Sequence, residues 1–304
     1  MKNTVKRQKW IFILAILLPY LGGYTLFTLY PNALSAYYSF FEWNGISEMK
    51  FVGLRNYVEM FRDPYVWRAL GHNLWLVLIV PLATLFLSAI LAYMIVYLKF
   101  RERNIHKVIY FLPNVISTVV IGLIWSFIYD GDYGILNGIL SSVGLDVKGF
   151  YWLGETQTAL GAVMAPMIWT GVGFYVIILM NAMTSIPPSM YEAAILDGAS
   201  HAKRLTAITL PLIASVMRVS LIFLILNAIK TFELIFVLTN GGPEGATDVI
   251  GLYMYTTAFG SPTSGRATNS MFGYSSAIGM FICVILVVVN IIVEKSGAND
   301  NIEY

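Results

Sequence analysis

Charged side chains are scarce in this sequence. Asp, Glu, Lys and Arg together make up 12% of 304 residues, about half the share usual in soluble domains. With 58% hydrophobic residues and a mean hydropathy of +0.71, this scarcity excludes an ordinary water-soluble domain and places the chain among polytopic membrane proteins. The formal net charge of +2 leaves no basic surplus with which to hold nucleic acid. The one cysteine, Cys283, excludes an internal disulfide and reads as a small lipophilic residue of the last apolar run. Three histidines, His72, His106 and His201, stand far apart, and none belongs to an HExxH-like pattern, so neither metal nor other cofactor is expected. No stretch matches GxxxxGK[ST], which leaves the chain without a P-loop of its own for ATP. The regular arginine series of a voltage sensor and a TVGYG-type filter are missing too. There is no internal repeat, and no loop is long enough for a separate domain.

Long apolar runs are what the sequence has in abundance. Six of them, 10–30, 73–97, 108–129, 157–180, 211–229 and 272–293, reach the length of about 20 residues that a bilayer-crossing helix needs. The N-terminal MKNTVKRQKWIFILAILLPYLGGYTLF is charged like a signal peptide. Its apolar part is too long and it has no evident small-residue cleavage site, so it is read as an uncleaved first span. Pro19, Pro81, Pro113 and Pro166 lie inside runs, where neighbouring groups must satisfy the carbonyls they free. Arg218 lies about 10 Å inside the fifth run by helical rise, within snorkelling reach of the headgroups. The expected fold is all-α, a polytopic membrane bundle of six transmembrane helices.

Basic residues orient it. Lys2, Lys6, Arg7 and Lys9 precede the first run. Lys99, Arg101, Arg103 and Lys107 fill the short connection between the second and third, and Lys203 and Arg204 follow the fourth. The loop after the third run sets only Lys148 against Asp130, Asp132, Asp146 and Glu155. The positive-inside rule therefore places both termini and the loop after the fourth run in the cytoplasm. On the opposite side, GLRNYVEMFRDPYVWRAL repeats Leu54, Tyr57, Val58 and Phe61 at helical spacing. This predicts a short helix on the outer membrane surface, either a tie between the first two spans or a docking ledge for an outside partner.

The loop after the fourth run is the most structured polar segment. SMYEAAILDGASHAKRLTAITLP reads as two short helices joined at Gly198, whose left-handed conformation would end the first. Ser189 and Glu192 form a capping-box pattern after Pro187 and Pro188. Ser200 is placed to cap the second helix, and Pro211 suits a first turn. A well-capped connection accounts for Ser189 and Gly198, but not for two exposed alanines after a glutamate. The same loop holds an SxxK pair, Ser200 and Lys203, and Ser47 with Lys50 makes another. Such a pair performs acyl transfer only when the lysine is desolvated. A Ser–Lys membrane hydrolase is thus the alternative from a different class.

Glu192-Ala193-Ala194, Gly198, Ile208 and Leu210-Pro211 fit the pattern EAA-x3-G-x9-I-x-LP. With this motif the chain resembles the membrane permease subunits of binding-protein-dependent ABC importers. LYPNALSAYYSFFEW, FVGLRNYVEMFRDPYVWRALGHN, YFLPNVISTVVIGLIWSFIY and SIPPSMYEAAILDGAS resemble the carbohydrate branch, and FVLTNGGP the MalF-type rather than the MalG-type subunit. The resemblance implies a type I (MetI-like) permease fold in a bacterial or archaeal cytoplasmic membrane. It divides the chain into a cytoplasmic tail, 1–9, and a single permease domain, 10–304, that carries a coupling loop at 187–211. Glu192, Ala193, Ala194, Asp197 and Gly198 would then dock into a separate ATPase subunit, which binds the ATP. The implied partners are a second, MalG-like permease subunit, two ATP-binding subunits, an extracytoplasmic solute-binding protein and membrane lipid. The implied solute is a carbohydrate, an oligosaccharide first of all, with a phosphorylated polyol such as glycerol 3-phosphate as the alternative.

A sugar needs planar apolar faces and hydrogen-bonding groups around it, and in a bilayer such groups occur where they face a cavity or another helix. By the resemblance, Thr170, Gly171 and Phe174 in the fourth run, and Asn227 and Ala228 in the fifth, correspond to segments that line the sugar site of the maltose permease subunit. The competing reading is packing: glycine lets helices approach closely, and a lone Asn bonds to a neighbouring helix. Lys230 and Glu233, three apart, are expected to pair on one helical face at the outer boundary.

Overall fold

The computed structural model describes residues 2–98, 103–260 and 270–297, with side chains for 10–98, 105–260 and 270–292. Lys99 and Arg101 lie outside the described residues, and so do the side chains of Lys2, Lys6, Arg7, Lys9 and Arg103. Among the described residues the regular structure is helical, apart from one antiparallel pair of two-residue strands, Phe41–Glu42 against Lys50–Phe51. Helix α1, Lys2–Tyr24, passes through a widened turn, Thr25–Leu29, into α2, Tyr30–Tyr38. Then come α3, Arg55–Arg62; α4, Pro64–Tyr97; α5, Arg103–Phe111; α6, Thr118–Ile128; and α7, Ile135–Ser142. The remainder are α8, Ala159–Thr184; α9, Pro188–Leu196; α10, His201–Arg204; α11, Leu210–Leu212; α12, Ala214–Lys230; α13, Glu233–Leu238; α14, Ile250–Phe259; and α15, Phe272–Gly297.

Four stretches, Trp10–Tyr38, Pro64–Tyr97, Ala159–Thr184 and Phe272–Ile292, are long and apolar enough to cross a membrane. Two bent pairs bring the number to six when each counts as one span. One pair, Ile105–Asn114 with Thr118–Ile128, turns through 100°; the other, His201–Leu212 with Ala214–Lys230, through 76°. The third apolar run is therefore not the single helix expected over 108–129. Pro113 cannot continue the backbone ladder, and Ser117 restarts it as an N-cap whose hydroxyl accepts the Val120 N–H at 3.4 Å. Hydropathy does not register such a break, because apolar residues continue on both sides of it.

Prolines inside the longer helices are accommodated in specific ways. Pro166 leaves the Ala162 carbonyl without its helical donor, and the Tyr129 hydroxyl donates to that carbonyl at 2.9 Å. Pro31 and Pro211 each follow a turn widened by one residue, in which the N–H of Tyr30 reaches Thr25 and that of Leu210 reaches Leu205. Widening the turn just ahead of a proline relieves the clash between its ring and the preceding carbonyls.

Two compact units make up the described chain. The first takes residues 2–63, 254–260 and 270–283, and the second 64–253 and 284–297. In the first, α3 forms as its periodicity predicts but turns a different face inward. Asn56 and Met60 are buried while Leu54, Val58 and Phe61 are exposed. Asn56 faces inward because the hairpin needs donors: its amide gives hydrogen bonds to the carbonyls of Ser39 (2.8 Å) and Phe41 (2.9 Å).

The second unit is built on the packing of α4 against α8. Thr84, Ser88 and Ala92, one turn apart on α4, are all 0% exposed. Small residues at this spacing let two membrane helices approach closely, and the Ser88 hydroxyl donates across the contact to the Val172 carbonyl at 3.3 Å. Around it pack Leu85, Ala89 and Tyr93 of α4 with Tyr175, Val176, Leu179 and Met183 of α8. Asn73, near the other end of α4, gathers two further helices. Its amide group donates to the end of α12 at Ala228 (3.4 Å) and Ile229 (3.2 Å), while its oxygen accepts the first N–H of α14, from Ile250 (2.8 Å).

Candidate functional site

In the second unit α8, α12, α13 and the break between α5 and α6 surround a cavity of about 520 Å3. Its wall includes all five residues singled out for a solute: Thr170, Gly171, Phe174, Asn227 and Ala228. Their roles in that wall differ. Phe174 presents its ring, 46% exposed. Asn227 is exposed and its side chain makes no hydrogen bond to any described residue, so the tie to a neighbouring helix that the packing reading requires is not formed among them. The Thr170 hydroxyl donates back to its own helix, to Pro166 and Met167 at 3.0 Å each. The Thr170 carbonyl accepts from the Asn114 amide at 2.9 Å. Ala228 is buried at 2% exposure, and its contribution is its size. Gly171 serves packing at the same time. A Cβ there would lie 2.9 Å from Thr84 Cγ2, which makes this glycine a point of close approach between α4 and α8.

Sequence reasoning missed three polar contributors to this wall, Asn114, Thr118 and Thr231. The available signal was Pro113-Asn114 inside an apolar run, since a proline next to a polar residue punctuates a helix. Gly173 holds this break in place, because any Cβ there would run into the Tyr110 carbonyl and the Asn114 amide. Lys230 and Glu233 both line the cavity, but the expected salt bridge between them is absent. Helix α12 ends at Lys230, and the backbone turns extended at Thr231 before α13 begins. Three residues across that break do not make one helical turn.

The second candidate site is the loop from α9 to α11. Gly198 has φ +74° and ends α9 in a Schellman turn: its own N–H reaches Ile195 at 3.0 Å, and that of Ala199 reaches Ala194 at 2.9 Å. Ser200 caps α10, accepting the Lys203 N–H at 3.3 Å, which makes this serine a cap. The capping box at Ser189 does not form. Helix α9 starts two residues earlier than a Ser189 cap would set it, with Pro188 at its first position and no side-chain cap, because proline is pre-organised for that position. Glu192, Ala193, Asp197 and Gly198 are exposed, and Ala194 is half-buried. Beside them Ile195 is 54% and Leu196 88% exposed. These two apolar side chains were also overlooked.

One buried side chain anchors α9, that of Tyr191. Its ring stacks on that of Tyr97 at the end of α4, centroids 4.2 Å apart, and its hydroxyl lies 2.7 Å from that of Thr209. Thr209 gives its one proton to the Arg204 carbonyl at 3.2 Å, so the Tyr191 hydroxyl is the donor in that pair. Histidine roles are structural as well. The Nδ1 of His72 lies 2.7 Å from the Asp248 carbonyl and must carry the proton, since a carbonyl only accepts. Among the described residues no group of three His, Cys, Asp or Glu is placed to hold a metal ion.

Comparison with known proteins follows this geometry. Residues 84–296 match the family described as "Binding-protein-dependent transport system inner membrane component". Over 297 residues, 97% of each chain, the sequence is 32% identical to "Probable ABC transporter permease protein YurN" of Bacillus subtilis. It is 33% identical over 288 residues, 91% of this chain and 79% of the relative, to "Diacetylchitobiose uptake system permease protein NgcF" of Streptomyces coelicolor. A solved bacterial alginate ABC transporter, in complex with an alginate pentasaccharide-bound periplasmic protein, contains a chain that superposes with TM-score 0.80. That match has 25% identity and covers 97% of this chain and 96% of the other. The chain belongs to this family: it is a multi-pass inner-membrane permease of a binding-protein-dependent ABC importer, with the fold of such permeases, and not an enzyme.

Proposed function

We propose that this permease forms half of the translocation pathway for an oligosaccharide. A second, MalG-like permease subunit supplies the other half, two ATP-binding subunits supply the energy, and an extracytoplasmic protein delivers the solute. The observation that carries the reading is the cavity at Thr170, Phe174, Asn114 and Asn227, which joins one exposed aromatic ring to hydroxyl and amide groups, the Asn227 amide among them without a partner in the described residues. That is the chemistry a sugar presents: an apolar ring face bordered by hydroxyls. Broken helices commonly line solute sites near the middle of transporters, and the break between α5 and α6 supports the same placement. The relatives' solutes, diacetylchitobiose and alginate, are both saccharides. A phosphorylated polyol fits less well, because phosphate is best held by clustered Arg or Lys, and the one cation in this wall, Lys230, shares it with Glu233.

In this reading 10–304 acts as one permease domain behind the tail 1–9, with both termini in the cytoplasm. The loop 187–211 lies on the same side and inserts Glu192, Ala193, Ala194, Asp197 and Gly198 into the ATPase. Closure of the ATPase pair on ATP moves that loop, and the cavity opens alternately to either side. Reconstituted with its partners, the complex should take up labelled chito- or malto-oligosaccharides only when ATP and binding protein are both present. Uptake without ATP would make it a passive channel. Orientation is tested in a Cys283→Ala background. Ser200→Cys should be shielded from impermeant thiol reagents on intact cells and Asp146→Cys should react; the reverse pattern refutes the assignment.

A further inference from the structure

Between α8 and α9 the chain runs through Ser185, Ile186 and Pro187, three residues outside any helix. Left alone, such a joint is a hinge. A force on α9 would bend it and be lost before reaching α8. Tyr97 spans this joint. Its hydroxyl donates to the Met183 carbonyl, before the joint, at 2.9 Å. Its ring stacks on Tyr191, after the joint, at 4.2 Å with the planes 29° apart. One turn earlier on the same face of α4, Tyr93 holds the other arm of the loop, its hydroxyl 3.4 Å from Nδ1 of His201 on α10. Tyr191 is the single buried residue of α9, so its side chain is the deepest contact through which that helix can pass a displacement inward.

From Tyr97 the α4 helix runs back without interruption to Thr84, about 20 Å at 1.5 Å per residue. Along that length it is fastened to α8 by the Ser88–Val172 hydrogen bond and by the contact of Thr84 with Gly171. Gly171 is in the cavity wall. We propose that Tyr97 and Tyr191 are positioning residues that lock the two-helix loop to α4, so that movement of the loop is delivered to the cavity through the Thr84–Tyr97 half of that helix. The proposal rests on the reading that the loop docks into an ATPase.

The test uses the full complex in vesicles, reading labelled oligosaccharide taken up per ATP hydrolysed, with subunit stoichiometry checked in each preparation. Tyr97→Leu should assemble, bind the ATPase subunits and keep basal hydrolysis, while uptake per ATP falls about tenfold, within the range usual for coupling between sites. Tyr97→Phe, which keeps the stacked ring, should retain most of the coupling. The decisive variant combines Tyr97→Cys and Tyr191→Cys in a Cys283→Ala background. Unlinked, it should be uncoupled like Tyr97→Leu; joined by a short bis-thiosulfonate, it should regain uptake per ATP. Loss of uptake on cross-linking would show that the loop and α4 must move apart, and would overturn the proposal. Unchanged coupling in Tyr97→Leu, or failure of both Tyr97→Leu and Tyr97→Phe to assemble, overturns it as well. If the unmodified complex hydrolyses ATP without any oligosaccharide uptake, the functional reading itself fails, and the inference with it.

Discussion

Two of the helix–break–helix joints, at Gly198 and at Pro113, look alike in outline and are held by opposite means. At Gly198 the break between α9 and α10 is satisfied by its own neighbours. A Schellman turn closes on Ala194 and Ile195, and Ser200 caps the next helix from three residues away. At Pro113 the break between α5 and α6 depends on a different helix. Asn114 donates to Thr170, 56 residues distant, and the close approach exists because residue 173 has no side chain. The first joint is locally encoded and would form wherever its sequence is placed. The second exists only in the assembled bundle.

This contrast predicts how each joint breaks. Gly173→Leu should have the largest effect. No rotamer avoids the Tyr110 carbonyl, and overpacking of this kind costs about 1–3 kcal/mol or more. The purified permease pair should lose thermal stability or fail to accumulate, and a normal unfolding temperature would remove the tertiary account of the α5–α6 break. Gly198→Pro comes next. Proline cannot take the positive φ of this position, so α9 and α10 should lose their mutual angle and pull-down of the ATPase subunits should fail. Gly198→Ala should be milder, at about 1–2 kcal/mol for a left-handed residue with a Cβ, and should leave the complex assembled. If proline is tolerated as well as alanine, the turn geometry does not matter to docking.

The smallest change tests the cavity. Asn227→Ala removes one exposed amide and leaves the helix intact, so the permease should assemble normally. The loss of one neutral hydrogen bond, about 1 kcal/mol, should raise the KM for uptake about fivefold. An unchanged KM would return Asn227 to the surface polar residues. Asn114→Ala should do more than Asn227→Ala, because it also unties the break from α8.

The same contrast explains what the sequence made legible. Where the determinants are close together they could be read: the apolar runs, the Gly198 turn, the Ser200 cap and the EAA pattern itself. Even there Ser189 misled, since a capping box competes with proline at the first helical position and proline prevailed. Where determinants are distant the sequence was mute. Asn73 joins three helices through partners 155, 156 and 177 residues away, and its codeless neighbourhood in an apolar run offered no sign of this. Helix α14, ten residues long, was overlooked because it is too short to register as a span, although apolar segments of this length are often buried core helices. The five cavity residues became visible only through family resemblance. Asn114, Thr118 and Thr231, which share their wall, were not singled out.

Ala193 offers the most direct test that the loop couples a separate ATPase to the cavity. It is exposed on α9, so Ala193→Trp disturbs no packing within this chain, and the permease pair should reach the membrane in normal amount. Glu192→Gln makes the same point electrostatically, since cutting one member of a charge pair that becomes buried on docking costs about 3–5 kcal/mol. The measurement is ATP hydrolysis stimulated by solute-loaded binding protein in the reconstituted complex. The account predicts that stimulation collapses in Ala193→Trp and falls in Glu192→Gln while the permease pair stays intact. Full stimulation in both variants, at normal subunit stoichiometry, would contradict it.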